Sequence, residues 1–322
     1  MVRQMSTLPL AEQLGVLRRE IAKAIVGQDE AIESLLIALI ARGHVLLEGV
    51  PGVAKTLLAK ALARSLDLTF RRVQFTPDLM PQDLLGTSVF RPDEGAFKLL
   101  KGPIFTELLL ADELNRTPPK TQSALLEAME ERQVTLDGVR HPLGERFFVI
   151  ATQNPLELEG TYPLPEAQTD RFLMKLALSY PSQPEEIEVL RRHHQGFDGH
   201  DLERLGLKTV IDGPSLEALR QTAAGVKVED TLFAYAVALC RRTREHAQLR
   251  LGASPRAAVA LLDAGKARAA LLGQPYLTPD EIKAVAKPIL RHRLVLRPDA
   301  EIEGMTSDKV IEQLLQSVEI PR

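Results

Sequence analysis

The sequence predicts a parallel α/β sheet flanked by helices, followed by a smaller all-α domain, and three observations carry that prediction. Apolar runs too short for helices recur through the first half of the chain, separated by stretches whose apolar residues return every three to four positions. Such alternation is the pattern of a doubly wound sheet covered on both faces. Beyond the polar stretch Tyr180-Pro181-Ser182-Gln183-Pro184 these runs become scarce and helical periodicity takes over. Aromatic residues are only 4% of 322 and Trp is absent, so the cores must be aliphatic.

Each element follows from its own pattern. Leu14, Leu17, Ile21 and Ile25, then Ile32, Leu35, Leu36 and Leu39, sit at helical spacing and predict two helices joined at Val26-Gly27-Gln28. His44-Val45-Leu46-Leu47 is too short for a helix and runs into a turn bearing glycine and proline, which predicts a buried strand. Leu57, Leu58, Ala61, Leu62 and Leu66 then restore the helical period, completing a strand-loop-helix unit. Further strands are predicted at 70–75, 108–111, 147–151 and 174–178, with a helix over 121–131. Residues 88–104, with the break Pro92-Asp93-Glu94-Gly95, predict a turn-rich excursion before the third strand. Val134-Thr135-Leu136-Asp137-Gly138-Val139-Arg140 sets Asp-Gly between two β-prone runs, a hairpin signal. Both stretches read either as surface loops or as loops that carry function. Helices are predicted at 185–192, 215–223, 229–244, 255–272, 278–290 and 307–317. Ser254 before Pro255, and Thr278 before Pro279 with Glu281 three residues on, mark N-caps ahead of a first-turn proline. The domains predicted are thus 1–180 and 181–322.

Charge and composition narrow the function classes. Lys and Arg total 40 against 43 Asp and Glu, a net charge of -3, so there is no bulk attraction to nucleic acid or to an anionic membrane. Arg241-Arg242-Thr243-Arg244 and Arg291-His292-Arg293 read as solvated helix ends. Cys240 is the lone cysteine and reads as a small buried hydrophobe, while His193-His194 reads as a solvated pair and the seven histidines show no metal spacing. With no signal-peptide pattern and no apolar run of membrane-spanning length, the expectation is a cytoplasmic protein without membrane insertion.

Gly49-Val50-Pro51-Gly52-Val53-Ala54-Lys55-Thr56 lies between the first strand and the next helix, where a phosphate-binding loop must lie. Small residues there let backbone N–H groups point at phosphate oxygens beside the positive end of a helix. Lys55 would reach the β- and γ-phosphates, and the Thr56 hydroxyl would take one Mg²⁺ position. Ala54 replaces the glycine usual before the lysine. Leu108-Leu109-Leu110-Ala111-Asp112-Glu113 is an apolar strand ending in two acids, the form of a Walker B motif. Asp112 would hold Mg²⁺ and Glu113 would polarise the attacking water. Ala151-Thr152-Gln153-Asn154-Pro155 closes the next strand with an amide able to orient that water, and Asp170-Arg171 stands just before the last strand.

On these residues the chain resembles the MoxR family of AAA+ ATPases over essentially its whole length. The matching segments include Ile25-Val26-Gly27-Gln28, the phosphate loop, Ala111-Asp112-Glu113-Leu114-Asn115-Arg116, Gln122-Ser123-Ala124-Leu125-Leu126-Glu127-Ala128-Met129 and Ala151-Thr152-Gln153-Asn154-Pro155. To these are added Glu159-Gly160-Thr161-Tyr162-Pro163-Leu164-Pro165-Glu166-Ala167-Gln168, Asp170-Arg171-Phe172 and Gly252-Ala253-Ser254-Pro255-Arg256-Ala257. Alanine before the loop lysine is usual in that family.

The resemblance implies a P-loop AAA+ core with a helical lid, ATP or ADP and Mg²⁺ as cofactors, and Asn154 as sensor 1. It makes Arg171 the arginine finger that reaches a neighbour's γ-phosphate and Arg256 the sensor 2 arginine. Val26 and Gly27 fall in the segment packing near the adenine, and Gly49 through Leu57 form the phosphate cradle. Residues 88–104 correspond to a helix-2 insert and about 133–142 to a pre-sensor 1 insertion, which in related rings face the remodelled partner. It further implies a homo-oligomeric ring of six, a protein client, a partner with a von Willebrand factor A domain, and a chaperone role in maturing a complex or inserting its metal cofactor. Glu107 departs from the pattern by placing a charge before the Walker B strand. Two other classes stay open at this stage: a DNA-directed AAA+ motor, and a nucleotide-gated scaffold without turnover.

Overall fold

A computed structural model describes residues 10–50, 52–93, 95–155, 160–199, 202 and 205–320. Pro51, Glu94 and Glu159 of the segments above lie outside the described residues. The first two helices, α1 (Leu10–Ile21) and α2 (Asp29–Ile40), precede strand β1 (Val45–Gly49) and helix α3 (Lys55–Ser65). Strand β2 (Phe70–Gln74), the short helix α4 (Pro81–Leu85) and the strands β3 (Gly86–Arg91) and β4 (Ala96–Lys101) follow. Next come β5 (Leu108–Asp112), α5 (Pro119–Glu131), β6 (Gln133–Leu136), β7 (Val139–Pro142), β8 (Phe148–Gln153), α6 (Glu166–Thr169) and β9 (Met174–Leu178).

Five strands form one parallel sheet in the order β2-β5-β8-β1-β9. The chain leaves β1 for the far edge and works back, so the crevice at the carboxyl ends of β1 and β8 is the topological switch point where ligands bind in open α/β sheets. Strand alternation splits the core into two layers. Val45, Leu47, Leu108, Leu110, Phe148 and Ile150 face α1, α2 and α3, and this apolar cluster continues without a break into the C-terminal helices. Leu46, Leu109, Ala111, Val149 and Ala151 face the other way, with Phe75, Leu125, Met129 and Phe147. Central strands buried on both sides need no polar alternation, which is why they read as plain apolar runs.

The C-terminal part is built from α7 (Gln183–His194), α8 (Gly213–Ala224), α9 (Asp230–Glu245), α10 (Pro255–Leu271), α11 (Pro279–Leu290), α12 (Pro298–Ile302) and α13 (Ser307–Ser317). It is not wholly helical: β10 (Leu249–Leu251) and β11 (Val295–Leu296) pair as a small antiparallel ribbon. Gln183 and Pro184 belong to the first turn of α7, which Ser182 and Glu185 close with a capping box, so the extended connection is shorter than its composition suggests. Thr278 and Glu281 form the predicted capping box, whereas the Ser254 hydroxyl bonds to Asp170 Oδ2 at 3.3 Å instead of capping α10.

The two extra stretches are both hairpins. Residues 133–142 turn at Asp137-Gly138, both in the left-handed region (φ 50 and 78), as a two-residue hairpin loop requires. The excursion at 88–104 is an ordered antiparallel pair that begins two residues earlier, at Gly86, and carries exposed Phe90 and Phe97 with ring centroids 5.3 Å apart. At its base Gly86 and Gly102 pass so closely that a Cβ on either would strike the other's backbone.

Arg291-His292-Arg293 is not a solvated cluster. Arg293 is buried against Asp170 (2.6 Å), His292 is buried against the Phe172 carbonyl (3.0 Å), and Arg291 pairs with Asp308 (2.8 Å). Cys240 is buried, and the apolar surroundings push its thiol up to about 11. Glu107 accepts the Thr69 amide at 2.8 Å and pairs with Arg146.

Candidate active site

Strand β1 ends at Gly49, and the following loop delivers Lys55 and Thr56 into the first turn of α3. Gly52 is left-handed (φ 88) with open space where a Cβ would stand, and Ala54 takes a left-handed conformation (φ 59) at the helix cap. Methyl-bearing alanine is therefore accommodated at the strict motif's glycine position, at the conformational cost of a non-glycine residue there. The Lys55 ammonium lies back on its own loop, donating to the Gly49 carbonyl at 2.5 Å and reaching the Val50 carbonyl at 3.5 Å.

A cavity of about 560 Å³ opens at this point, walled by Gly52, Ala54, Lys55, Thr56, Leu57, Lys60, Asp112, Glu113 and Asn154. Three strand ends thus converge there: β1 through its loop, β5 through Asp112 and Glu113, and β8 through Asn154. An adjoining cavity of about 430 Å³ shares Gly52, Ala54 and Leu57 and is lined by Ile25, Val26, Val53, Val189, Leu190 and Phe197. The first is polar where phosphates would lie and the second is apolar where a base would lie, so the residues present fit a nucleotide with its Mg²⁺. Gly27, Gly49 and Val50 line neither cavity.

The acids are held by groups that sequence reasoning did not single out. Asp112 Oδ1 accepts from the Thr152 hydroxyl at 2.5 Å, while Oδ2 accepts from Arg72 through Nε at 3.0 Å and NH2 at 2.7 Å. Glu113 is left-handed (φ 59); its amide donates to Thr152 Oγ1 at 2.8 Å, and its carboxylate accepts from Gln74 at 2.7 Å and pairs with Arg116 at 3.2 Å. Arg72 also donates to Gln74 Oε1 at 2.7 Å. The edge strand β2 thereby lays two polar side chains across both Walker B acids. The available signal was their spacing of two within a strand, which puts Arg72 and Gln74 on one face.

Arg171 and Arg256 line neither cavity. Both reach Glu130, near the end of α5: Arg171 Nε at 2.6 Å and Arg256 NH1 at 3.3 Å. The hydrogen bond from Arg171, ahead of the charge of Arg256, holds the Glu130 carboxyl below the usual carboxylate range.

The sheet order, the loop at the switch point and the helical tail define the class: an ATPase of the AAA type. A family model described as "ATPase family associated with various cellular activities (AAA)" matches residues 44–174, and one for an AAA lid domain matches 241–314. Chaperone MoxR1 of Mycobacterium tuberculosis is 42% identical over 97% of this chain and 84% of its own length. The YeaC protein of Bacillus subtilis is 44% identical over 96% and 95%. The crystal structure of a candidate ATPase from Cytophaga hutchinsonii aligns at a TM-score of 0.88 with 41% identity, covering 99% of this chain and 98% of that one. The chain belongs to the MoxR family of AAA+ ATPases. No helix among the described residues is long and apolar enough to cross a membrane.

Proposed function

We propose that the chain hydrolyses ATP with Mg²⁺ at the boundary between adjacent subunits of a homo-oligomeric ring, six in the family pattern, in the cytoplasm. The observation that carries this reading is the division of charged groups. Lys55, Thr56, Asp112, Glu113 and Asn154 share one cavity, while Arg171 and Arg256 stand outside it. Phosphoryl transfer through a loose transition state is catalysed by positioning and charge stabilisation, so a site lacking its arginines is incomplete until a neighbour supplies them.

Each residue's part follows from its place. Lys55 is held in the phosphate path by its loop carbonyls and exchanges them for phosphate oxygens. Thr56 and Asp112 are the groups that would hold Mg²⁺, whose charge would offset that of the phosphates. Glu113 accepts the proton of the attacking water once Gln74 and Arg116 release its carboxylate, and Asn154 orients that water from the opposite wall. The 1–180 core and the 181–322 lid are the two bodies of this cycle, joined by the short connection ahead of Gln183. The hairpins β3–β4 and β6–β7 are the surfaces that meet a protein client, with a von Willebrand factor A domain protein as adaptor. The work done is chaperone-like remodelling or maturation of that client, including insertion of a metal cofactor, which agrees with the naming of the Mycobacterium tuberculosis relative as a chaperone.

Phosphate release measured across protein concentration tests the proposal. Wild-type turnover should rise faster than linearly with concentration. Glu113→Gln should lower it by roughly 10²–10⁴ through loss of the base, and Arg171→Ala by roughly 10³–10⁵ through loss of the finger. Wild-type rates in both variants would refute the assigned site.

A further inference from the structure

Arg171 and Arg256 are 85 residues apart in the chain and belong to different parts of the fold, yet one carboxylate takes both. Side chains next to them also link the two segments. Asp170, beside Arg171, accepts from Ser254 Oγ at 3.3 Å, two residues before Arg256. The same Asp170 accepts from Arg293 Nε at 2.6 Å, and Arg293 NH2 donates to the Asp170 and Phe172 carbonyls at 3.2 and 2.8 Å. The buried guanidinium of Arg293 thus ties the segment that bears Arg171 to the C-terminal helices.

On this fixed base two like charges stand side by side, and Glu130 lies between them. We infer that Glu130 is a positioning residue of the intersubunit site: it gathers Arg171 and Arg256 into one preformed pair of guanidinium groups that the chain offers to its neighbour's triphosphate. The inference rests on the intersubunit reading above. Glu130 lines neither nucleotide cavity of its own chain, and within the proposed ring its effect is exerted on the adjacent subunit. Its exposed pairing with the arginines is weak enough to be surrendered to a phosphate, while its single negative charge offsets part of the repulsion between the two guanidinium groups and keeps both aimed. A misplacement of the arginines by about 1 Å would cost roughly 10²-fold in turnover.

Subunit mixing tests this with full-length proteins. Glu130→Gln alone should lower phosphate release by roughly 10²-fold while its affinity for a fluorescent ATP analogue and its thermal midpoint stay at wild-type values. Mixed in equal amounts with Glu113→Gln, whose arginines and Glu130 are intact, it should regain part of the activity, because wherever the two variants adjoin in the right order an intact P-loop meets an intact donor. Mixed with Arg171→Ala it should not, since both carry the lesion in the same half of the site. Recovery in that second mixture, failure to recover in the first, or wild-type turnover of Glu130→Gln alone would each overturn the assignment. The control mixture of Glu113→Gln with Arg171→Ala separates the two levels: if it fails to recover, the intersubunit reading falls and the role of Glu130 falls with it.

Discussion

His44 stands one residue ahead of β1 with its ring buried, Nδ1 accepting from the Val149 amide at 3.0 Å and Nε2 facing the Met129 carbonyl at 3.2 Å. Those two partners fix the neutral tautomer with its proton on Nε2. Burial, and then the charge of Arg132, lower its pKa from 6.5 to about 3, and His292 is shifted in the same direction by burial and by Arg293. Because the unfolded chain binds the proton at a higher pH than the folded one, this stability is complete above about 6.5 and is lost as pH falls towards 3. At pH 5.5 the His44 contribution alone should cost about 1.4 kcal/mol. Urea denaturation at pH 7.5 and 5.5 should show that loss, and His44→Asn should be less stable at pH 7.5 yet less sensitive to acid; a flat wild-type profile would exclude the coupling. At this scale the sequence was legible where the residues that share the cavity lie in contiguous motifs, as Lys55, Asp112, Glu113 and Asn154 do. Arg72 and Gln74 escaped because their contact with the Asp112 and Glu113 carboxylates is created by strand register, and the contact of Glu130 with Arg171 and Arg256 by helix packing. Gln74 lies opposite Asp112 only because β2 pairs with β5 in that register.

Among the elements, the β3–β4 hairpin shows how a tight base can orient an exposed tip. Gly86 is left-handed (φ 100), and a Cβ at Gly102 would fall inside contact distance of the Leu84 carbonyl and the Gly86 amide. Backbone atoms offer no rotamer by which to yield. Gly102→Ala should therefore destabilise this region by about 1–3 kcal/mol, the usual cost of overpacking. Hydrogen exchange should then report faster amides over residues 86–101 with β5 and β8 unchanged, whereas unaltered protection of the hairpin would contradict the close-packing account. The sequence announced β6–β7 through Asp-Gly, but the longer loop at Pro92-Asp93-Glu94-Gly95 carries no comparable two-residue turn signal, and β3–β4 looked like an irregular excursion. Strands of two and three residues, such as β10 and β11, offer no periodicity to detect. Long amphipathic helices do, which is why α8 to α11 and α13 were readable to within a few residues.

At the scale of the molecule, the apolar layer on one face of the sheet runs on into the C-terminal helices, and one of the polar contacts that complement it is Arg293 with Asp170. Arg293 is almost wholly enclosed, its charge met by the Asp170 carboxylate and by the carbonyls of Ile289, Asp170, Phe172 and Leu173. Removing the carboxylate leaves a buried cation without its counter-charge, so Asp170→Ala should cost about 3–5 kcal/mol, read from urea midpoints; a change within experimental error would show that the pair contributes nothing. Sequence alone could not find this pair, since its members are 123 residues apart and short basic groups at helix ends normally face water. The same connection has a further consequence for the proposed ring. In that ring, a displacement of a subunit's C-terminal helices would reach the site next door through Arg293 and the carbonyls of Asp170 and Phe172 that flank Arg171, and its own nucleotide cavity through Val189, Leu190 and Phe197. Timing information would then pass around the assembly with a fixed handedness, each member setting the clock of the following one and being set by the one before.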